Sequence, residues 1–206
     1  RLPRARTDGF VPTVEYAPFT EPAEDAHTIL HFPPGAIRSY HNLFDAELAI
    51  RPDYPWVLNI LRFKAVYEDS GIAQTAVPST YPIGRVHWAY KSDPSAWVEN
   101  VVDGLSAPGN WVLDTRDKVI YLWPEGDELS DSITAPALIE YIRVEGNIDY
   151  DGPTDEPVRG LIFRGLTFTR GDRFAWQWDK TGRGLQHDWE MFDQTTAMLR
   201  FRGAEE

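Results

Sequence analysis

The sequence contains no cysteine. Disulfides and thiolate metal sites are thereby excluded. The compartment stays open, because a secreted protein need not contain cysteine. No apolar run approaches the ~20 residues of a membrane-crossing helix. Positive charge is scarce: 20 Lys and Arg stand against 32 Asp and Glu, a formal net charge of −12. That balance disfavours a nucleic-acid partner, which needs a basic surface, and docking on an anionic membrane. There is no Gly-rich phosphate loop and no Gly-x-Ser-x-Gly. His27, His31, His41 and His87 are scattered; His27 and His31 stand four apart but fall in a strand pattern rather than on a helix, so no metal site is expected from them.

What is present is apolar and aromatic. Hydrophobic residues make up 42% of the 206 positions, enough for a real core. Eight Trp, nine Tyr and ten Phe are included. Flat rings stack on sugar faces in glycan-binding β proteins, and they equally fill cores and cover sheets. Residues 1–27 are rich in Pro, Thr, Asp and Glu and read as an extended lead-in. Strand patterns begin at Thr28-Ile29-Leu30-His31-Phe32, stopped by Pro33-Pro34-Gly35, and continue at Glu47-Leu48-Ala49-Ile50. The longest run spans Trp56 to Glu68. Its more apolar alternate set is Val57, Asn59, Leu61, Phe63, Ala65 and Tyr67, expected to face the core.

One short helix is expected over Ser95–Leu105. Asp93-Pro94-Ser95 offers capping chemistry, and Trp97, Val98, Val101, Val102 and Leu105 recur at helical spacing. A hairpin follows, with strands at 110–114 and 119–124 around a polar turn at Thr115-Arg116-Asp117-Lys118. After residue 132 the style changes. Leu138 to Gly146, Val158 to Arg170 and Ala197 to Gly203 read as short strands ending near Gly. Gly165 sits where the chain turns a corner, and Leu199 and Phe201 alternate with Arg200 and Arg202. Such units suggest the coils of a solenoid, which needs at least ~3 stacked repeats and a cap. No cap follows Gly203, so the chain is expected to be an incomplete piece of a larger all-β protein.

Several stretches carry a resemblance. They are Ala96-Trp97-Val98-Glu99-Asn100, Ala107-Pro108-Gly109-Asn110-Trp111-Val112-Leu113-Asp114 and Ile120-Tyr121-Leu122-Trp123-Pro124. Val158 to Phe168, Leu185 to Asp193 and the opening Leu2-Pro3-Arg4-Ala5-Arg6 join them. Together they resemble large bacterial right-handed parallel β-helix proteins similar to glycoside hydrolase family 141, whose members act on fucosylated or xylose-containing plant polysaccharides. The resemblance implies a lead-in over residues 1–23, an inserted β-rich domain over 24–132, and the first coils of the β-helix over 133–206. It also implies a secreted, periplasmic or cell-surface location, a polysaccharide or oligosaccharide partner, and docking onto the remainder of the same β-helix chain. Asn110 stands where the pattern usually has Glu; any function carried by that Glu is missing here.

The densest chemical cluster is His187, Asp188, Trp189, Glu190 and Asp193, preceded by Trp176 and Trp178. Glycosidic hydrolysis needs two carboxylates, about 5–5.5 Å apart for retention or about 6.5–9.5 Å for inversion. Asp188 and Glu190 point the same way in an extended segment, which suits them to binding substrate rather than flanking one bond. The seven residues are expected to line a sugar groove, and the resemblance implies catalytic acids on later coils. The bland reading is a loop whose His and Asp satisfy backbone groups. Asp149, Asp151, Asp155 and Glu156, with Gly152 and Pro153, form an acidic loop of a kind that holds Ca²⁺. It lacks the fixed spacing of a calcium loop, and a solvated turn with no cofactor is the expectation. Two function classes follow: a glycoside hydrolase, with this stretch giving the insertion and one groove wall, or a non-catalytic glycan-binding or structural surface β-helix.

Overall fold

The computed structural model describes residues 2–13, 25–52, 57–79, 81–83, 94–126, 133–149, 154–172 and 197–205. Their contacts divide into two units, one holding the described residues up to 126 and the other those from 133 onward. The secondary structure is almost entirely β.

The first unit is built on an antiparallel sheet. Its strands are β1 (Ile29–His31), β2 (Glu47–Ile50), β3 (Asn59–Tyr67), β4 (Ile72–Thr75) and β5 (Ala96–Glu99), in the order β1-β4-β3-β2-β5. All four residues of β2 are buried, because the strand lies between β3 and β5 and is covered on both faces. Val57 just before β3 and Asn59, Leu61 and Phe63 within it are buried as the alternation predicts. The pairing with β4 then slips between Phe63 and Ala65. A bulge of this kind turns the strand and ends the alternation, and Tyr67 is consequently exposed.

Residues 95–105 do not form the expected helix. Ala96–Glu99 is strand β5, paired antiparallel with β2, and only Val102–Gly104 makes a single 3-10 turn. The same apolar residues satisfy either period over so short a stretch, and β-branched Val98, Val101 and Val102 favour the extended form. Asn100 decides the matter: its φ is +64°, a left-handed conformation that interrupts a helix. Ala96 and Val98 are buried against the sheet, while Trp97 and Glu99 are half-buried.

The hairpin forms where it is expected, from β6 (Trp111–Asp114) and β7 (Val119–Leu122), with Lys118 at positive φ in the turn. The lead-in ties this hairpin to the sheet. Thr7 and Phe10 donate backbone hydrogen bonds to Val98 and Ala96 of β5 at 2.9 and 2.7 Å, and Ala5 donates to Trp111 of β6 at 2.9 Å. Gly104 permits the approach, since a Cβ there would lie 2.5–2.7 Å from the Arg6 backbone.

In the second unit, β8 (Ile142–Glu145) pairs parallel with β10 (Leu199–Arg202), and β9 (Val158–Arg159) pairs parallel with β11 (Ala204–Glu205). Each pair of strands is interrupted at a glycine, Gly146 after β8 and Gly203 after β10, and the two glycines stack. A Cβ on Gly146 would lie 2.2 Å from the Gly203 carbonyl oxygen. Gly203 holds a φ of +60°, as a tight corner requires. Arg200 reaches Glu145 at 3.2 Å on one face, while Phe201 stands beside Val144 in register and meets Phe163 edge-on at 5.7 Å. The expected strand over Val158 to Arg170 is shorter than the pattern suggests: only Val158–Arg159 pairs. Gly165 does take positive φ, at +66°, but Leu161 to Thr167 are exposed and outside any strand.

Candidate functional site

Asn100 and the turn of the β6–β7 hairpin organise the first unit's polar interior. Asn100 is fully buried. Its Nδ2 donates to the carbonyls of Asp45 (2.9 Å) and Leu113 (2.8 Å), and its Oδ1 accepts from the Leu113 N–H at 2.8 Å. The side-chain amide thus stands in for a neighbouring strand along β6. Buried Asn42 adds Nδ2 bonds to the Asn100 and Leu113 carbonyls at 2.8 and 3.1 Å. Asn110, at the position where the resembled pattern has Glu, accepts through Oδ1 from the Ser106 and Ala107 N–H groups at 3.2 and 3.0 Å. Here its role is to close a turn, which an amide oxygen does as well as a carboxylate.

The next residue along β6 from Leu113 is Asp114, whose side chain is 3% exposed. Its Oδ1 accepts from the Arg116 and Asp117 N–H groups, both at 3.0 Å, which fixes the hairpin turn. Its Oδ2 faces His41 Nε2 at 3.9 Å, and His41 Nε2 is 2.9 Å from Asp117 Oδ2. Asp45 holds the same turn from the other side, accepting from Thr115 N at 2.7 Å and Thr115 Oγ1 at 2.8 Å. Arg116 Nη1 donates to the His41 carbonyl at 3.4 Å. Beside this cluster, burial pushes the Tyr40 phenol above its ordinary range, and Asp103 and Glu68 act in the same direction. His41, Asp114 and Asp117 therefore bring an imidazole nitrogen and two carboxylate oxygens within 4.8 Å of one another. Sequence spacing does not reveal this trio. Asp114 and Asp117 are legible as turn residues, but His41 reaches them only through the fold.

A second feature is a band of Arg and Trp along the lead-in. Arg4 lies over the Trp111 ring at 5.8 Å, while Arg6 and Arg51 lie over Trp97 at 5.7 and 5.9 Å. Such contacts contribute roughly 0.5–1 kcal/mol each at exposed sites. Arg4 also ion-pairs with buried Glu47. Trp97 on β5 and Trp111 on β6 thus each carry a guanidinium from the lead-in over the ring. Trp123, 45% exposed, is the most open of the described tryptophans.

The expected groove residues Trp176, Trp178, His187, Asp188, Trp189, Glu190 and Asp193 lie outside the described residues. Of the acidic loop, Asp151 lies outside them too. Asp149 and Asp155 are engaged with the loop itself: the Asp149 N–H donates to Asp155 Oδ1 and Thr154 Oγ1 donates to Asp149 Oδ2, both at 2.8 Å. Among the described residues no helix is long and apolar enough to cross a membrane.

No protein-family model matches the chain, and no curated protein matches it. The chain is similar in structure to a solved protein described as a glycoside hydrolase, with a TM-score of 0.53 and 21% sequence identity. The likeness covers 84% of this chain but only 30% of the glycoside hydrolase. The chain thus has a glycoside hydrolase-like fold, corresponding to about a third of the length of that neighbour.

Proposed function

We propose that the chain is part of a right-handed parallel β-helix glycoside hydrolase that acts on plant-type polysaccharide, fucosylated or xylan-like. In this reading residues 24–132 are an inserted domain, residues 133–206 are the first coils, and Trp176, Trp178 and 187–193 line one wall of the substrate groove. The working location is outside the cytoplasm. The observation that carries the reading is the pair of parallel ladders in the second unit. Strands β8 and β9 are followed, in the same order and register, by β10 and β11, with glycine corners stacked between them. Two parallel pairs in one order and register are what the repeat of a solenoid would require, and they support that reading. The glycoside hydrolase-like fold supports the same class.

Catalysis needs an acid and a second carboxylate held on opposite sides of one bond by a rigid scaffold. Asp188 and Glu190, two residues apart, would share one side of any bound sugar in an extended segment, so this reading gives them to binding and the acids to later coils. The test pairs this chain with a longer protein that contains it. The chain alone should hydrolyse neither xylan nor fucosylated glycan, yet be retarded by them in affinity electrophoresis. Trp176→Ala, Trp178→Ala and Trp189→Ala should each reduce the retardation. In the longer protein, Asp188→Asn and Glu190→Gln should raise KM and leave kcat nearly intact. Loss of turnover with unchanged affinity would move the catalytic machinery into this stretch. Absence of retardation by every glycan would favour a structural β-helix instead.

A further inference from the structure

We infer that His41, Asp114 and Asp117 form a binding site for a divalent first-row transition ion of the Zn²⁺ class. This inference is independent of the glycan reading. The donor set is one imidazole nitrogen and two carboxylate oxygens, within 4.8 Å of one another and drawn from two segments far apart in sequence. Three such ligands with an open fourth position are characteristic of Zn²⁺. Ca²⁺ prefers six to eight oxygens and has no use for the imidazole.

Two further features single out this cluster from an ordinary surface ion pair. The Asp114 side chain is only 3% exposed. Two backbone N–H groups hold its Oδ1, leaving Oδ2 directed at His41 Nε2 across 3.9 Å, longer than a hydrogen bond. The nearest ion-pair partner of that oxygen is the His41 imidazole, and a bound cation would give the buried Asp114 carboxylate a full charge partner. The second feature is the support around it. Asp45 and Asn100 clamp the backbone on either side of Asp114, through Thr115 and Leu113. Ligand positions backed by such partners are rigid.

The adjustment required is small. Donors about 2.0–2.1 Å from a tetrahedral ion stand about 3.3 Å apart. His41 and Asp117 must open from 2.9 Å, and His41 and Asp114 must close from 3.9 Å. His41 and Asp117 have side chains 55% and 47% exposed and are free to make that shift. The opposing charge is Arg116, whose guanidinium is engaged with the His41 carbonyl and makes no ion pair with either carboxylate among the described residues.

The test is calorimetric titration of the chain with Zn²⁺, alongside His41→Gln, Asp117→Asn and a His31→Gln control. The two ligand variants change exposed side chains and leave the Asp114 turn intact. The wild-type chain and the His31→Gln control should bind Zn²⁺ alike, and their melting temperature should rise with Zn²⁺ concentration. His41→Gln and Asp117→Asn should each weaken binding by more than about tenfold and lose that rise. No binding by the wild-type chain, weakening of less than about tenfold in either ligand variant, or tighter binding of Ca²⁺ than of Zn²⁺ would each overturn the inference.

Discussion

Asn100 is a fully buried residue at a φ of +64°, joined to Leu113 through both ends of its amide. Asparagine tolerates this conformation better than residues with larger or branched side chains. Asn100→Ala removes three side-chain hydrogen bonds, takes the partner from the part-buried Leu113 N–H, and leaves a Cβ in the left-handed region without the polar side chain that makes asparagine tolerant of it. The expected loss is about 3–5 kcal/mol of stability. Asn100→Gly keeps the backbone freedom and should lose about 1–2 kcal/mol less. Urea unfolding of the two variants measures both values. If alanine costs no more than glycine, the left-handed backbone is not what selects asparagine there. The same comparison touches the candidate metal site, because Leu113 leads directly into Asp114. None of this is legible from spacing. Asn100 and Asn110 stand out in the sequence only as members of a motif, whereas the fold shows one replacing a strand neighbour and the other closing a turn.

At the scale of elements, the sequence is most readable where one local signal acts alone. The 115–118 turn is polar, and Asp114 accepts from two of its N–H groups, so the hairpin forms at the expected place. The strand over 59–67 keeps its period until the bulge after Phe63. Over 95–105 two signals compete, and the tertiary partner wins: β2 offers β5 a full ladder, which an isolated helix of that length cannot match. The 158–170 stretch fails for the converse reason. Its alternation is clear, but only Val158 and Arg159 meet a neighbouring strand. Glycine marks the second unit better than hydrophobic pattern does, and its role is testable. Gly146→Ala places a Cβ against the Gly203 and Glu156 carbonyls, both backbone atoms that cannot step aside. Gly160→Ala and Gly165→Ala meet nothing within 4 Å and carry only the strain of positive φ, about 1–2 kcal/mol. Hydrogen exchange should therefore show the Gly146 and Val158 amides, which bond to Arg202 and Gly203, losing protection in Gly146→Ala. They should keep most of it in the other two. Equal loss in all three variants would mean that the corner stack is not what holds β8 and β9 to β10 and β11.

For the molecule as a whole, what matters is how much apolar surface stays open against how much charge opposes its use. Leu161, Phe163, Leu166, Leu199 and Phe201 are 36–60% exposed in the second unit, the last two on β10 and the first three in the stretch after β9. In the first unit Val119, Ile120 and Tyr121 on β7, and Trp123 just after it, are also 39–60% exposed. Exposed apolar runs beside unpaired strand edges promote association. Against this stands a formal net charge of −12, which makes two copies repel. The balance depends on salt, because the Debye length shrinks from about 30 Å at 0.01 M to about 3 Å at 1 M while the apolar contact is not weakened. The chain should therefore sediment as a smaller species at low salt and associate progressively as salt rises. Leu199→Lys with Phe201→Lys places two charges on the face where β10 is open. Those lysines lower the net negative charge, so electrostatics alone would favour association in this variant. If it nevertheless associates less at high salt than the unmodified chain, the apolar coil face is the contact. If it associates as much or more, the contact lies elsewhere, with the β7 hairpin as the next surface to alter. A chain that stays monodisperse at every salt concentration would remove the premise that this face seeks a covering coil, and with it one support for the solenoid reading.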